Sequence, residues 1–103
     1  MERKIKTIDV QAKEWFDKVN GNSYFAGQIT INYGMKNAKT LYMPFQYGYG
    51  SQYEWQAACE LAKAGYIEDS TKPLWHLKDK GIILRLSIQR DRLKRDVRAF
   101  GEE

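Results

Sequence analysis

Cysteine, histidine and proline are almost missing from this chain, which has only Cys59, His76, Pro44 and Pro73. A lone cysteine closes no internal disulfide and suits a reducing compartment. Cys59 and His76 together cannot supply the four nitrogen or sulfur ligands of the usual zinc site. Long apolar runs are missing too. The longest aliphatic stretch is Ile82-Ile83-Leu84, against the roughly 20 residues of a spanning helix. The opening stretch Met1-Glu2-Arg3-Lys4-Ile5-Lys6-Thr7-Ile8-Asp9 has charge but no apolar segment of the secretory kind. No membrane partner, no metal and no cofactor are therefore expected.

What is present describes a small folded domain. The 103 residues are 43% hydrophobic, 14% aromatic and 29% charged. That is too apolar for a disordered chain and long enough for one core, with no room for a second domain. The formal net charge is +4. Residues 1–77 hold nine basic and eight acidic side chains, and residues 78–103 hold eight and five. The positive excess lies mostly in the last quarter, in a basic segment over residues 82–100.

Residues 4–12 alternate, with Ile8, Val10 and Ala12 on one side and Thr7, Asp9 and Gln11 on the other, the mark of a half-buried strand. Asn20-Gly21-Asn22 signals a hairpin in which both central residues take positive φ. A second strand follows near 23–32, with Phe25, Gly27, Ile29 and Ile31 on one face and Tyr24, Ala26, Gln28, Thr30 and Asn32 on the other. After a polar loop at 34–39, a third strand covers about 40–47, with Leu41, Met43, Phe45 and Tyr47 on one face. Pro44 has no amide to donate, which puts this strand at a sheet edge or at a bulge.

Ser51-Gln52-Tyr53-Glu54 has the form of a capping box opening a helix that Gly65 ends. Trp55, Ala58, Cys59 and Ala62 are its predicted apolar stripe. Glu68-Asp69-Ser70-Thr71 reads as a loop, and Pro73 suits the first turn of a short helix over 74–80. Residues 82–89 alternate again, with Ile82, Leu84, Leu86 and Ile88 inward. Beyond Arg90, the spacing of Leu93, Val97 and Phe100 fits a short amphipathic helix, and a continued strand stays open. The order β-β-β-α-α-β predicts an α+β fold, an antiparallel sheet of about four strands with helices packed on one face.

Three blocks carry a resemblance. Glu14-Trp15-Phe16-Asp17-Lys18-Val19-Asn20-Gly21-Asn22-Ser23-Tyr24-Phe25, Pro44-Phe45-Gln46-Tyr47-Gly48-Tyr49-Gly50 and Leu93-Lys94-Arg95-Asp96-Val97 resemble a group of short, uncharacterised proteins carried by bacteriophages and prophages. The resemblance spans most of the chain. It implies a bacterial host cytoplasm and transfers no site residues.

Two features bear on function. Arg85, Arg90, Arg92, Lys94, Arg95 and Arg98 fall within fourteen residues, interrupted only by Asp91 and Asp96. Cations on a strand and its extension can meet successive phosphates; a solvated surface of local ion pairs is the plainer account. Tyr24 and Tyr42 fall on the polar faces of adjacent strands. A face of that kind stacks unpaired bases or anchors a protein partner, and half-buried strand tyrosines are also what β-propensity favours. Gly48-Tyr49-Gly50 before a helix lacks the third glycine of the dinucleotide fingerprint and the lysine of a phosphate loop. Cys59 and His76 form no catalytic constellation, and nothing indicates a pocket that tunes acidic pairs. The expectation is a non-enzymatic accessory protein that binds nucleic acid. Its rival is a protein-binding inhibitor of a host factor such as a CRISPR or restriction nuclease. The edge strand carrying Pro44 also offers a place for pairing with a second copy or with a partner.

Overall fold

The computed structural model describes residues 5–67 and 74–102, with the side chains of Trp75, His76 and Lys80 left aside. The elements run β1 (Thr7–Asp17), β2 (Asn22–Ile31), β3 (Lys39–Tyr47), α1 (Gln52–Lys63), a 3₁₀ helix (Leu74–Lys80), β4 (Ile83–Gln89) and α2 (Lys94–Phe100). The loop read over 68–71 and Pro73 lie outside the described residues.

The α+β class is as expected, and the sheet has four strands in the order β3-β2-β1-β4. It is mixed rather than antiparallel. β1 pairs antiparallel with β2 and β2 with β3, but β4 lies parallel to β1, from Thr7 opposite Ile83 to Lys13 opposite Gln89. The helical stretch after β3 carries the chain from one edge of the sheet to the other, so β4 enters beside β1 in the same direction. Parallel neighbours need a long crossover of this kind.

The alternation of each strand becomes the core. Ile8, Val10, Ala12, Phe25, Ile29, Ile31, Met43 and Leu84 pack under Tyr53, Ala57, Ala58 and Leu61 of α1 and under Leu74 and Leu77 of the 3₁₀ helix. The buried stripe of α1 is therefore Tyr53, Ala57, Ala58 and Leu61, not the predicted set led by Trp55, which is largely exposed. Two adjacent alanines let the helix lie close to the sheet, and the bulky indole turns outward. Ser51 makes no side-chain cap, so the capping box does not form. Instead the side-chain oxygen of Gln52 accepts from the Tyr49 amide at 3.0 Å.

Helices cover both faces, contrary to the single-face expectation. α1 and the 3₁₀ helix sit on the core face. α2 packs on the opposite one, where Val97 is fully buried together with Ala26. Phe100 of α2 lies under the Lys13 ammonium, 4.4 Å from the ring centre, and its carbonyl accepts from Gln28 Nε2 at 3.1 Å. Lys13 and Gln28 each neighbour a core residue in sequence, so they point the other way. Gly101 ends α2 against the sheet, where an added Cβ would fall 2.4 Å from the Met43 carbonyl oxygen and 2.7 Å from Ala26 Cβ.

The two alternatives for Pro44 both hold. β3 is an edge strand, and its register with β2 slips: Phe25 faces Gln46 while Gly27 faces Met43. Pro44 and Phe45 together oppose Ala26, which is a bulge with one extra residue. Leu41 and Met43 stay with the core, but Phe45 and Tyr47 are turned to the α2 face, correcting the single face read for β3. The β1–β2 hairpin also differs. Asp17 pairs with Asn22 across four loop residues. Only Gly21 takes positive φ there (71°), because Asp17 closes the loop through Oδ1 and its carbonyl to the amides of Val19, Asn20 and Gly21.

Candidate nucleic-acid interface

The β1–β2 register sets Trp15 opposite Tyr24, and the β2–β3 register sets Tyr24 opposite Tyr47. All three side chains stand on the α2 face. The bulge adds Phe45. Tyr24 and Phe45 stack 5.3 Å apart, Trp15 lies 5.5 Å from Tyr24 and 6.3 Å from Phe45, and Tyr47 meets Tyr24 edge-on at 5.8 Å. Trp15, Tyr24 and Phe45 are half-buried, and Tyr47 is 57% exposed. The four rings form one contiguous platform on the hairpin end of the sheet, with Tyr24 at its centre and Tyr47 its most exposed member.

The chain after β4 brings cations to this platform. The Arg92 amide donates to the Glu14 carbonyl at 2.9 Å, pinning the connection to β1. Leu93 and α2 follow. Lys94 Nζ stands 5.1 Å from the Trp15 ring centre, a cation–π distance. A shallow open groove is lined by Trp15, Leu93, Lys94, Arg95 and Arg98. A second, adjoining groove is lined by Phe16, Asp17, Lys18, Val19, Asp91 and Arg92, with Trp15 and Leu93 as the shared wall. Arg95 is strongly exposed and approaches Asp96 only at 4.0 Å. An exposed pair of that length contributes little and competes weakly with an incoming anion. Asp17 is the nearby acid in the hairpin turn. Its hydrogen bond from the Asn20 amide at 2.8 Å, helped by the Lys94 charge, holds its carboxyl below the ordinary range.

Of the eight residues singled out from sequence, Tyr24, Lys94, Arg95 and Arg98 meet here, and Arg92 borders the adjoining groove. The other three do not join them. Arg85 lies at the far end of the sheet, its guanidinium forked onto the Asp9 carboxylate, with Nη2 3.1 Å from Oδ2. Arg90 follows the end of β4 and lines neither groove. Tyr42 shares the face with Tyr24 but stands opposite Gln28, where the end of α2 separates it from the aromatic cluster. Trp15, Phe45 and Tyr47 were missed. The hairpin signal and the odd-numbered face of β1 could have placed Trp15 opposite Tyr24; Phe45 and Tyr47 depend on the bulge.

Among the described residues, no group of three or more His, Cys, Asp or Glu could hold a metal ion. Cys59 is a free, half-buried thiol on α1. No helix among them is long and apolar enough to cross a membrane. Comparison with protein-family models, curated proteins and solved structures yields no match.

Proposed function

We propose that this protein binds single-stranded nucleic acid, with bases on the Trp15–Tyr24–Phe45–Tyr47 platform and phosphates along Lys94, Arg95 and Arg98. One observation carries the reading: Trp15, the end ring of the aromatic cluster, lines one groove with a row of weakly engaged cations. Stacking on aromatic side chains is worth about 1–3 kcal/mol per base and tolerates any sequence. Phosphate contacts add affinity through counterion release, which salt opposes. The role is non-enzymatic and fits the bacterial cytoplasm that the phage resemblance implies.

Fluorescence anisotropy with a labelled oligothymidylate tests this. Binding is expected at about 50 mM salt and falls steeply towards about 200 mM. A matched oligomer of abasic sites, which keeps the phosphates and removes the bases, is expected to bind more weakly. Absence of binding at the lower salt ends the proposal.

A second reading rests on a different observation. Val19 is 91% exposed and Leu93 57%, and both line the adjoining groove beside Phe16. Exposed apolar side chains around an aromatic anchor also suit a protein partner, in keeping with an inhibitor of a host defence nuclease. Capture from nuclease-treated host lysate separates the two. A stoichiometric protein lost on Leu93→Asp or Val19→Asp favours this reading, and recovery of none counts against it.

A further inference from the structure

The two edges of the sheet are not alike. β3 is blunted by its bulge, by Pro44 and by Lys39, the usual devices that keep an edge from pairing. β4 has none of them: its seven residues, Ile83-Leu84-Arg85-Leu86-Ser87-Ile88-Gln89, contain no proline or lysine and pair with β1 without a register shift. Its outer side is an unprotected edge among the described residues.

The hydrogen-bonding phase of that edge follows from one bond. The Ile83 amide donates inward, to the Lys6 carbonyl at 3.0 Å. Backbone groups alternate along a strand, so Ile83, Arg85, Ser87 and Gln89 bond towards β1, and Leu84, Leu86 and Ile88 present their amides and carbonyls outward. The same three side chains point to the core face. Leu84 is buried, while Leu86 and Ile88 stay half-covered at its margin.

We infer that β4 pairs antiparallel with β4 of a second copy of this chain, in the register centred on Leu86. That register sets Leu86 opposite Leu86 and Leu84 opposite Ile88, each pair exchanging both backbone bonds. All three outward-bonding positions are satisfied, and the apolar row continues unbroken across the junction. Arg85 then faces Ser87 of the other copy and keeps its fork on Asp9. Shifting the centre one residue towards the start of β4 sets Arg85 against Arg85, a like-charge clash. Shifting it one residue the other way sets Leu84 against Arg90 and breaks the apolar row. Slips that put inward-bonding residues opposite outward-bonding ones lose the bonds. The strand is thus self-complementary in one register. Because an antiparallel pair is related by a twofold axis perpendicular to the sheet, both copies carry α2 and the aromatic platform on the same side of one continuous sheet.

Sedimentation equilibrium from micromolar to sub-millimolar protein tests the inference. A mass of twice the chain is expected, returning to a single chain for Leu86→Pro, which removes an outward amide and no bond to β1. Register is read with thiols in a Cys59→Ala background. Arg85→Cys alone and Ser87→Cys alone are expected to stay single on mild oxidation, and their mixture gives a covalent dimer on a non-reducing gel. A single-chain mass for the unaltered protein throughout the range overturns the inference, as does cross-linking of either thiol variant with itself. A strand donated by another protein corresponds to the first of those outcomes.

Discussion

The rings of Tyr24 and Phe45 lie 5.3 Å apart and within 5° of parallel. They belong to neighbouring strands, yet Phe45 reaches this face only through the extra residue in β3. Without the bulge, strict alternation from Met43 would send Phe45 into the core. A local irregularity at Pro44 thus assembles the platform that the proposed function uses.

Phe45→Ala is therefore expected to act twice. Loss of a half-buried ring and its stack costs about 1–3 kcal/mol of stability, read by urea unfolding. The same variant weakens oligothymidylate binding at temperatures where it stays folded, whereas Tyr42→Ala, outside the cluster, leaves binding close to that of the parent chain.

Charge reversal separates the cations that sequence had grouped. Arg95→Glu and Arg98→Glu are expected to weaken oligonucleotide binding for every sequence tested and to lower the salt slope by about one phosphate contact each. Arg85→Glu, whose parent is held by Asp9 at the far end of the sheet, is expected to leave that slope unchanged. Equal losses at all three positions, measured by anisotropy across a salt series, contradict the assignment.

The docking of α2 has its own probe. Gly101→Ala places a methyl against the Met43 carbonyl and Ala26, which is backbone and cannot swing aside. Overpacking of this kind costs about 1–3 kcal/mol. Hydrogen exchange is expected to quicken for the amides of 94–100 while those of β1 and β2 keep their protection.

Acid acts on the β1–β2 turn. The Asp17 carboxyl is held below its ordinary value of 3.8, first by the Asn20 side chain. A carboxyl lowered by folding adds stability that is fully present above the unfolded value and lost as pH falls through the folded one. The turn is expected to hold at neutral pH and weaken below about pH 4. Asn20→Ala reduces that dependence, and NMR titration of the Asp17 carboxyl is expected to move up towards 3.8.

Much of this was legible because alternation survives folding. Ile8, Val10, Ala12, Phe25, Ile29, Ile31 and Leu84 point inward as their spacing required, and Gly65 ends α1. Alternation is silent on strand direction, so the parallel placement of β4 was not readable. It is equally silent on which face a seven-residue helix covers: Val97 needs burial, and both faces of the sheet offered it. The basic cluster misled because neighbours in sequence on a strand and its extension diverge in space. Arg85 forks onto Asp9 at one end of the sheet while Arg95 lines the groove beside Trp15 at the other. Trp15 went unweighed because its partner Tyr24 becomes adjacent only once the hairpin closes.

The parallel pairing of β1 with β4 also has a meaning in time. Asp9 and Arg85, 76 positions apart, meet across that seam. On a ribosome the first three strands emerge early and can zip together through short turns, but β1 must wait with one side bare until residue 89 leaves the exit tunnel. Closing so large a loop costs more entropy than closing the hairpins, so this pairing is expected to form last. For that interval the nascent chain exposes one of its two interior strands, and any binding partner or chaperone that meets it then encounters a different surface from the finished protein.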